Sequence, residues 1–403
     1  MAIKNLKKVA ARLVKAAKQG ETLILYSDAD MDGVSSAIIL QQAIRSLGGQ
    51  IARTYFPDRE IDGYGITPKA IRELKTLAPA VICATDLGIS NFKEIDLAKK
   101  AGFEVLLIDH HEILDRLPNA DIIVDPKQPG DRHPFKQLAA CGLALLVARE
   151  MLGKTIAESL EKSLVELAAL GTLADMMPQE QDNEKIIQEG LEALEDSWRP
   201  GIRVFFRLPE FDSLRNIEEK ARKIIGILNV RDVQDGFPAA YRILTCPSER
   251  EALRMIEKSM EIHKERKERA RMLTDMARVS VLKDPDAPII FEGGKEFDYI
   301  LLGGIASVMS QDYDKPAFVY KQLEQESVGS VRAPARYDTV RAMKHAKQYV
   351  ITYGGHPQAS GFRLKNSNIG KFKAALMKYY DSQAPVAEVS RVLTAKKKRK
   401  KKT

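Results

Sequence analysis

Three short apolar runs, each stopped by an acidic cluster, constrain the fold of this chain more than any other feature. Leu23-Ile24-Leu25-Tyr26 leads into Asp28-Ala29-Asp30-Met31-Asp32-Gly33, Val81-Ile82-Cys83-Ala84-Thr85 into Asp86, and Val105-Leu106-Leu107-Ile108 into Asp109-His110-His111. Runs of this length read as buried strands, and the segments between them carry helical spacing. Strands near 22–27, 51–56, 80–85, 104–108 and 121–124 alternate with helices near 34–47, 68–77, 92–101, 137–152 and 156–173. Ahead of the first strand, Leu6, Val9 and Leu13 share one helical face, and Gly20 is a natural stop. The alternation predicts an α/β fold built on a mainly parallel sheet covered on both faces. Open sheets of this kind bind ligands outside the carboxyl ends of their strands, so the three clusters are expected at one place.

Five carboxylates crowded together are costly unless cations neutralise them. Oxygen and imidazole donors without a thiolate suit manganese or magnesium, and zinc less well. The chain therefore reads as a metal-dependent hydrolase. A calcium loop is rejected, because a loop opening at Asp28 would close at Ile39 where a Glu is required. Capping of the following helix explains one Asp but not three. Gly33 fits a tight strand-to-helix turn, whose amides favour an anion. No G-x-G-x-x-G turn follows the first strand, which argues against dinucleotide binding. His110 and His111 are expected to point to opposite sides, one to metal and the other to substrate or a supporting partner. Gly171-Thr172-Leu173-Ala174-Asp175 adds an acid at the end of a mostly apolar helix.

Residues 180–245 read as mixed helices around a turn at Asp235-Gly236-Phe237-Pro238. Residues 249–280 are charged, free of Pro and Gly, and carry one apolar stripe through Leu253, Ile256 and Met260. As a helix this segment would extend about 48 Å, suited to joining two domains. Beyond Asp284-Pro285-Asp286-Ala287-Pro288, strands near 288–292, 298–303, 316–321, 327–332 and 360–364 mix with helices near 338–348 and 367–380, giving a smaller α/β or α+β domain. There, Gly354-Gly355-His356 opens a glycine-rich loop able to approach a phosphate closely, and Arg332 of Ser330-Val331-Arg332 can clamp one. His133, His263 and His345 read as surface or structural. The expected division is a catalytic domain over 1–248, a connecting helix over 249–283, a substrate-binding domain over 284–385 and a basic tail over 386–403.

The 403 residues, 44% hydrophobic and 29% charged, describe an ordinary globular protein of two or three domains. Its net charge of +8 is concentrated in seven consecutive basic residues at 396–402, leaving a body near +1. That tail, expected to be disordered, could attract any polyanion or serve only as a solubilising end. No stretch approaches the roughly 18 apolar residues of a membrane span, so no membrane partner is expected. The N-terminus lacks the apolar core of a signal peptide. Cys83, Cys141 and Cys246, scattered in apolar segments, suit reduced, buried thiols in the cytoplasm.

Taken in order, Asp30-Met31-Asp32-Gly33, Asp86, Asp109-His110-His111, Asp175 and Gly354-Gly355-His356 resemble the motifs of the DHH phosphoesterase superfamily. The resemblance covers residues 22–364 and is most similar to the RecJ-type single-strand exonucleases, supported by Arg59, Gly63-Tyr64-Gly65, Asp125-Pro126-Lys127-Gln128-Pro129 and His133-Pro134-Phe135-Lys136. It implies a DHH domain joined by a long helix to a smaller DHH-associated domain, acting as a two-metal phosphodiesterase. Asp28, Asp30, Asp32, Asp86, His110 and Asp175 would ligate two manganese or magnesium ions, with Asp86 bridging. Asp109 would orient His110, and His111 would lie close to the scissile phosphate. Arg332 and His356 would hold substrate phosphates in a pocket shaped by Ser330, Gly354 and Gly355. The cleft between the domains would admit a single strand but not a duplex.

Two departures are visible. No OB-fold is expected after the second domain, which weakens the expectation of a tight grip on long strands. Ile227-Leu228-Asn229-Val230-Arg231 differs from the bacterial pattern, so no role is carried over there. The compact layout is similar to archaeal RecJ-like proteins, some of which join the replication machinery through the GINS complex, and this puts GINS among the partners to test. Two alternatives stay open: a phosphodiesterase of short oligonucleotides, cyclic dinucleotides or nucleotide bisphosphates, and a replisome scaffold with residual nuclease activity. Small-substrate relatives usually begin the first motif with His, where this chain has Asp28.

Overall fold

The structure is a computed structural model that describes residues 3–59, 62–113 and 115–382. It divides into two compact units that meet at His263 and Lys264.

In the first unit α1 (Leu6–Gln19) ends at Gly20, in the left-handed conformation that the sequence suggests. Five strands follow: β1 (Leu23–Ser27), β2 (Arg53–Tyr55), β3 (Ala80–Thr85), β4 (Phe103–Ile108) and β5 (Ile122–Val124). They form one parallel sheet in the order β2-β1-β3-β4-β5. The chain steps from β1 outward to β2, then returns past β1 to build the other half. Its switch point therefore lies between β1 and β3, where open sheets form their crevice. Ser27 pairs with Thr85, Thr85 with Ile108 and Ile108 with Val124, so four strands end in line. The residues that follow them are Asp28, Asp86, Asp109 and Asp125.

Alternation along β1 explains the layering. Leu23 and Leu25 enter one core with α1, α2 (Met31–Ser46), α5 (Ala140–Leu152) and α6 (Glu158–Ala174). Ile24 and Tyr26 enter another with α3 (Pro68–Leu74) and α4 (Phe92–Lys100). Each such side chain, fully buried, contributes roughly 1.5–3 kcal/mol of transfer free energy. The unit is completed by α7 (Gln181–Glu195), α8 (Pro200–Arg203), α9 (Pro209–Asp212), α10 (Ile217–Leu228), the hairpin β6 (Val233–Gln234) and β7 (Phe237–Pro238), and α11 (Ala239–Thr245). The turn expected at Asp235-Gly236 closes that hairpin with both residues at positive φ. His133 is structural: its Nδ1 lies 2.9 Å from the Phe135 carbonyl and its Nε2 3.4 Å from Asp182. All three cysteines are free and buried.

Helix α12 (Glu249–Val281) carries the boundary between the units along its length. In the second unit β8 (Ile290–Gly294), β9 (Ala317–Gln322), β10 (Glu326–Arg332), β11 (Thr352–His356) and β12 (Ala359–Lys365) form a sheet in the order β11-β12-β10-β9-β8. Only β8 and β9 run parallel. One face packs on α12 and α13 (Leu302–Tyr313), the other on α14 (Thr339–His345) and α15 (Ile369–Asp381). Two expectations are corrected here. The strand predicted at 298–303 is helical, since Leu301, Leu302, Ile305, Ala306 and Met309 form one buried stripe, and a short apolar run alone does not separate strand from helix. The glycine-rich loop is strand β11, paired with β12 through Gly354–Gly361 and His356–Ala359. The cross-strand ladder prevails over the weak strand preference of its two glycines. The basic tail lies outside the described residues.

Candidate metal centre

Beyond β1 each Asp is held by a different group. Asp28, buried, accepts the Ala29 amide at 2.7 Å and a two-pronged contact from Arg59, whose Nε lies 2.7 Å from Oδ1 and whose Nη2 meets Oδ2. The same Nη2 reaches Asp30 Oδ2 at 2.8 Å. Asp30 caps α2, accepting the amides of Asp32 and Gly33, each at 3.1 Å. Asp32, buried, turns to the start of α5 and accepts the amides of Ala140 at 2.9 Å and Cys141 at 2.7 Å, a favourable place for an anion. Gly33 is required by close approach, because a β-carbon there would press into the Asp28 backbone.

Asp86 follows β3 with φ at 61°, a left-handed conformation that costs a non-glycine residue of order 1–3 kcal/mol and clusters at functional sites. After β4, Asp109 is wholly buried and accepts the Ile89 amide at 2.9 Å, the His110 amide at 2.8 Å and His111 Nδ1 at 2.7 Å. Asp109 therefore orients the ring of His111 and not that of His110, and the expectation is corrected. The two histidines do not point to opposite sides either, since their ring centroids lie 4.7 Å apart. The chain leaves the sheet at Ile108, so strand alternation no longer governs them.

His110 sits at the focus. Its Nε2 is 3.2 Å from Asp86, 3.5 Å from Asp175 at the end of α6 and 3.7 Å from Asp32, yet none of these contacts has hydrogen-bond geometry. Both of its ring nitrogens and Asp175 Oδ2 are buried without a hydrogen-bond partner among the described residues. Buried polar atoms are almost always satisfied, so such a cluster calls for an explanation. Three sets of donors converge: Asp32, His110 and Asp175; Asp28, Asp30 and Asp86; and Asp86, His110 and His111, each within 4.8 Å.

Electrostatics point the same way. Burial, then the charge of Asp30, pushes Asp28 and Asp32 up to about 6. Burial, then Asp32 and Asp30, pushes Asp175 up to about 8, and the same causes raise Asp86 well above the carboxylate range. Burial also opposes charge on Asp30 and Asp109, but Arg59 and the Gly33 amide hold Asp30 below its ordinary value, and His111 holds Asp109 below. Burial and the nearby His111 lower His110 to about 3, keeping its ring a neutral donor. His111 is opposed by burial but raised by Asp109 to about 9. A site whose carboxylates are driven towards neutrality by one another gains most from bound cations. The donors present fit divalent cations that accept oxygen and imidazole.

In the second unit four of the five expected phosphate residues share one face, Gly355 falling in the row between them. Ser330, Gly361 and Gly354 lie in one row across β10, β12 and β11, and Arg332, Ala359 and His356 in the next on that face. Arg332 donates to Ser330 Oγ at 3.1 Å and to the Val331 carbonyl at 2.9 Å, with no carboxylate partner among the described residues. Gly355 has φ at 118°.

Three participants carried no individual role in the sequence. Arg59 pairs with acids 31 and 29 residues away, a contact no local pattern reveals. Tyr64 places its hydroxyl 3.2 Å from His111 Nε2 and 3.3 Å from the Asp86 carbonyl. Asp125, also wholly buried, could have been found by applying the strand-end rule to β5.

The DHH family N-terminal domain matches residues 22–172. The single-stranded-DNA-specific exonuclease RecJ of Bacillus subtilis is 30% identical over 403 residues, covering 97% of this chain and 50% of the relative. The chain thus spans about half the length of that relative. A crystal structure of exonuclease RecJ bound to manganese superposes with a TM-score of 0.77 at 25% identity, covering 94% of this chain and 95% of that one. The manganese complex of RecJ from Thermus thermophilus, 24% identical, shares the fold with a TM-score of 0.82 over 96% of this chain and 56% of its own. The chain thus carries a DHH-family domain over residues 22–172 and is RecJ-like in sequence and fold.

Proposed function

We propose that the chain is a two-metal phosphodiesterase that works as an exonuclease on single-stranded DNA or RNA and releases nucleoside monophosphates. The observation that carries this reading is His110, buried with neither ring nitrogen hydrogen-bonded among the described residues and ringed by Asp32, Asp86 and Asp175. Asp32, His110 and Asp175 would hold one divalent cation, and Asp30 and Asp86 the other. Asp86 belongs to donor sets on both sides and is the residue assigned to bridging. Asp28 supports the second set while anchoring Arg59. Manganese is preferred and magnesium admissible; either would supply Lewis-acid activation of water and stabilisation of the leaving oxygen.

The protein's own groups do the rest. Asp109 fixes His111 through Nδ1, so Nε2 is left to face Tyr64 and the phosphate. Arg59 spends part of its fork on Asp28 and Asp30, and its side chain, 45% exposed, keeps donors for a phosphate oxygen. Ser330, Arg332, Gly354, Gly355 and His356 would hold phosphates in the second unit. The names of the relatives support the substrate class, and the manganese complexes support the cation.

The test is manganese-dependent digestion of a single-stranded 30-mer, as DNA and as RNA, labelled at either end, with Asp30→Ala as control. A ladder that requires Asp30 is expected and gives polarity and sugar preference together. Activity confined to substrates of a few nucleotides would instead establish the small-substrate enzyme. We place the protein in the cytoplasm on the strength of its free, buried thiols. A GINS-type complex is the partner to test, by co-purification with an Asp30→Ala, Asp32→Ala protein.

A further inference from the structure

Four strands of the first sheet end in line, and Asp125 fills the fourth place in the row of acids. Two residues further on lies Lys127. Asp125 accepts the Lys127 amide at 2.7 Å on Oδ1, while its Oδ2 is buried without a partner among the described residues. The Lys127 side chain is only 11% exposed, yet its ion pair is with Glu112, 3.0 Å away and 48% exposed, directly after His111. Lys127 lies three residues beyond the end of β5 and its partner Glu112 four beyond the end of β4, so this ion pair sits at the carboxyl ends of the strands, on the same edge of the sheet as the acids. On the far side of the sheet Arg59 follows β2. One cation thus stands at each edge of the row of acids.

We propose that Lys127 is a phosphate-contacting residue, whose ammonium exchanges Glu112 for a phosphoryl oxygen of the bound strand or of the monophosphate product. The inference rests on the phosphodiesterase reading. A half-exposed carboxylate is a weak partner, whereas a phosphate oxygen makes a stronger charge-assisted bond. The ammonium is already largely out of water, so the exchange adds little desolvation cost.

The test is calorimetric binding of thymidine 5′-monophosphate to the full chain in manganese, for the wild type, Lys127→Gln, Lys127→Arg and Glu112→Gln. Lys127→Gln should weaken binding about tenfold or more, the scale of one hydrogen bond to a charged group. Lys127→Arg should recover most of the loss, and Glu112→Gln should leave binding equal or tighter. KM for the single strand should move in the same directions. Unchanged binding in Lys127→Gln, or equal weakening in Lys127→Gln and Glu112→Gln, would overturn the proposal, because a purely structural ion pair gives the second pattern. Thermal unfolding is followed alongside. If Lys127→Gln does not fold, Glu112→Gln decides: weaker binding overturns the assignment and tighter binding supports it. Digestion by the wild type, run in parallel, separates the two claims, since a protein that binds the monophosphate through Lys127 but cuts nothing loses only the nuclease reading.

Discussion

Asp86 belongs to two of the three donor sets while its backbone sits at φ 61°, so both its carboxylate and its conformation are specified. Asp86→Ala should lower manganese-dependent turnover by about a thousandfold or more, the scale on which a preorganised charge contact is felt. Single-turnover digestion at saturating manganese measures it, and substantial residual activity would remove Asp86 from the bridging role. At this scale the identity of the acids was legible, because a carboxylate directly after an apolar strand has one place to go. The partners were not. That Asp28 faces Arg59, and that Asp109 takes the ring of His111, depends on loops that leave the sheet. Strand periodicity carries no information about such loops.

At the scale of elements, one buried ion pair ties the helical layer together. Arg199, at the start of α8, donates to Glu166 of α6 at 2.7 Å, to Ser163 Oγ at 2.6 Å, to Gln42 of α2 at 2.9 Å and to the Leu244 carbonyl of α11 at 3.2 Å. Removing one partner strands the other charge in a dry interior, so Glu166→Ala should destabilise the protein by about 3–5 kcal/mol in urea unfolding. Burial pushes Glu166 up to about 7 from an ordinary 4.5, against the pull of Arg199. The folded state therefore holds this proton more tightly than the unfolded one. Its contribution is complete below pH 4.5 and is lost as pH rises through 7. Glu166→Gln should flatten the pH dependence of stability over that window; an unaltered profile would refute the assignment. Buried strands were easy to read because β1, β3 and β4 are almost wholly interior. Segment 298–303 was not, because five or six residues cannot show a period of 3.6. Nor was β11, whose glycines conceal a strand that only pairing with β12 creates.

For the whole molecule, cation binding and stability are linked. Anything that binds only the folded state stabilises it by mass action, about 2.7 kcal/mol at a hundred times the dissociation constant. Manganese should therefore raise the melting temperature, a chelator should reverse the rise, and Asp32→Ala should remove most of it, since Asp32 belongs to the set centred on His110. A melting temperature indifferent to manganese would count against the metal centre without any assay of activity. The seven basic residues at 396–402 make a separate prediction. Deleting 396–403 should reduce the slope of single-strand affinity against salt, by about 0.7 for each phosphate that the tail neutralises. An unchanged slope would leave the tail a passive end. Two units and a long helix were visible from length and charge pattern, and no helix among the described residues is long and apolar enough to cross a membrane.

The left-handed backbone at Asp86 also bears on how a lineage could retire this chemistry. Most replacements would lose the carboxylate and add strain at once. Asn tolerates the same conformation and nearly the same shape, and Gly tolerates it freely. A descendant kept for its surfaces rather than its reaction would find its smoothest route through Asp86→Asn. An Asn or Gly at this place in a related chain is thus an early mark of a protein that has stopped cutting and kept its form.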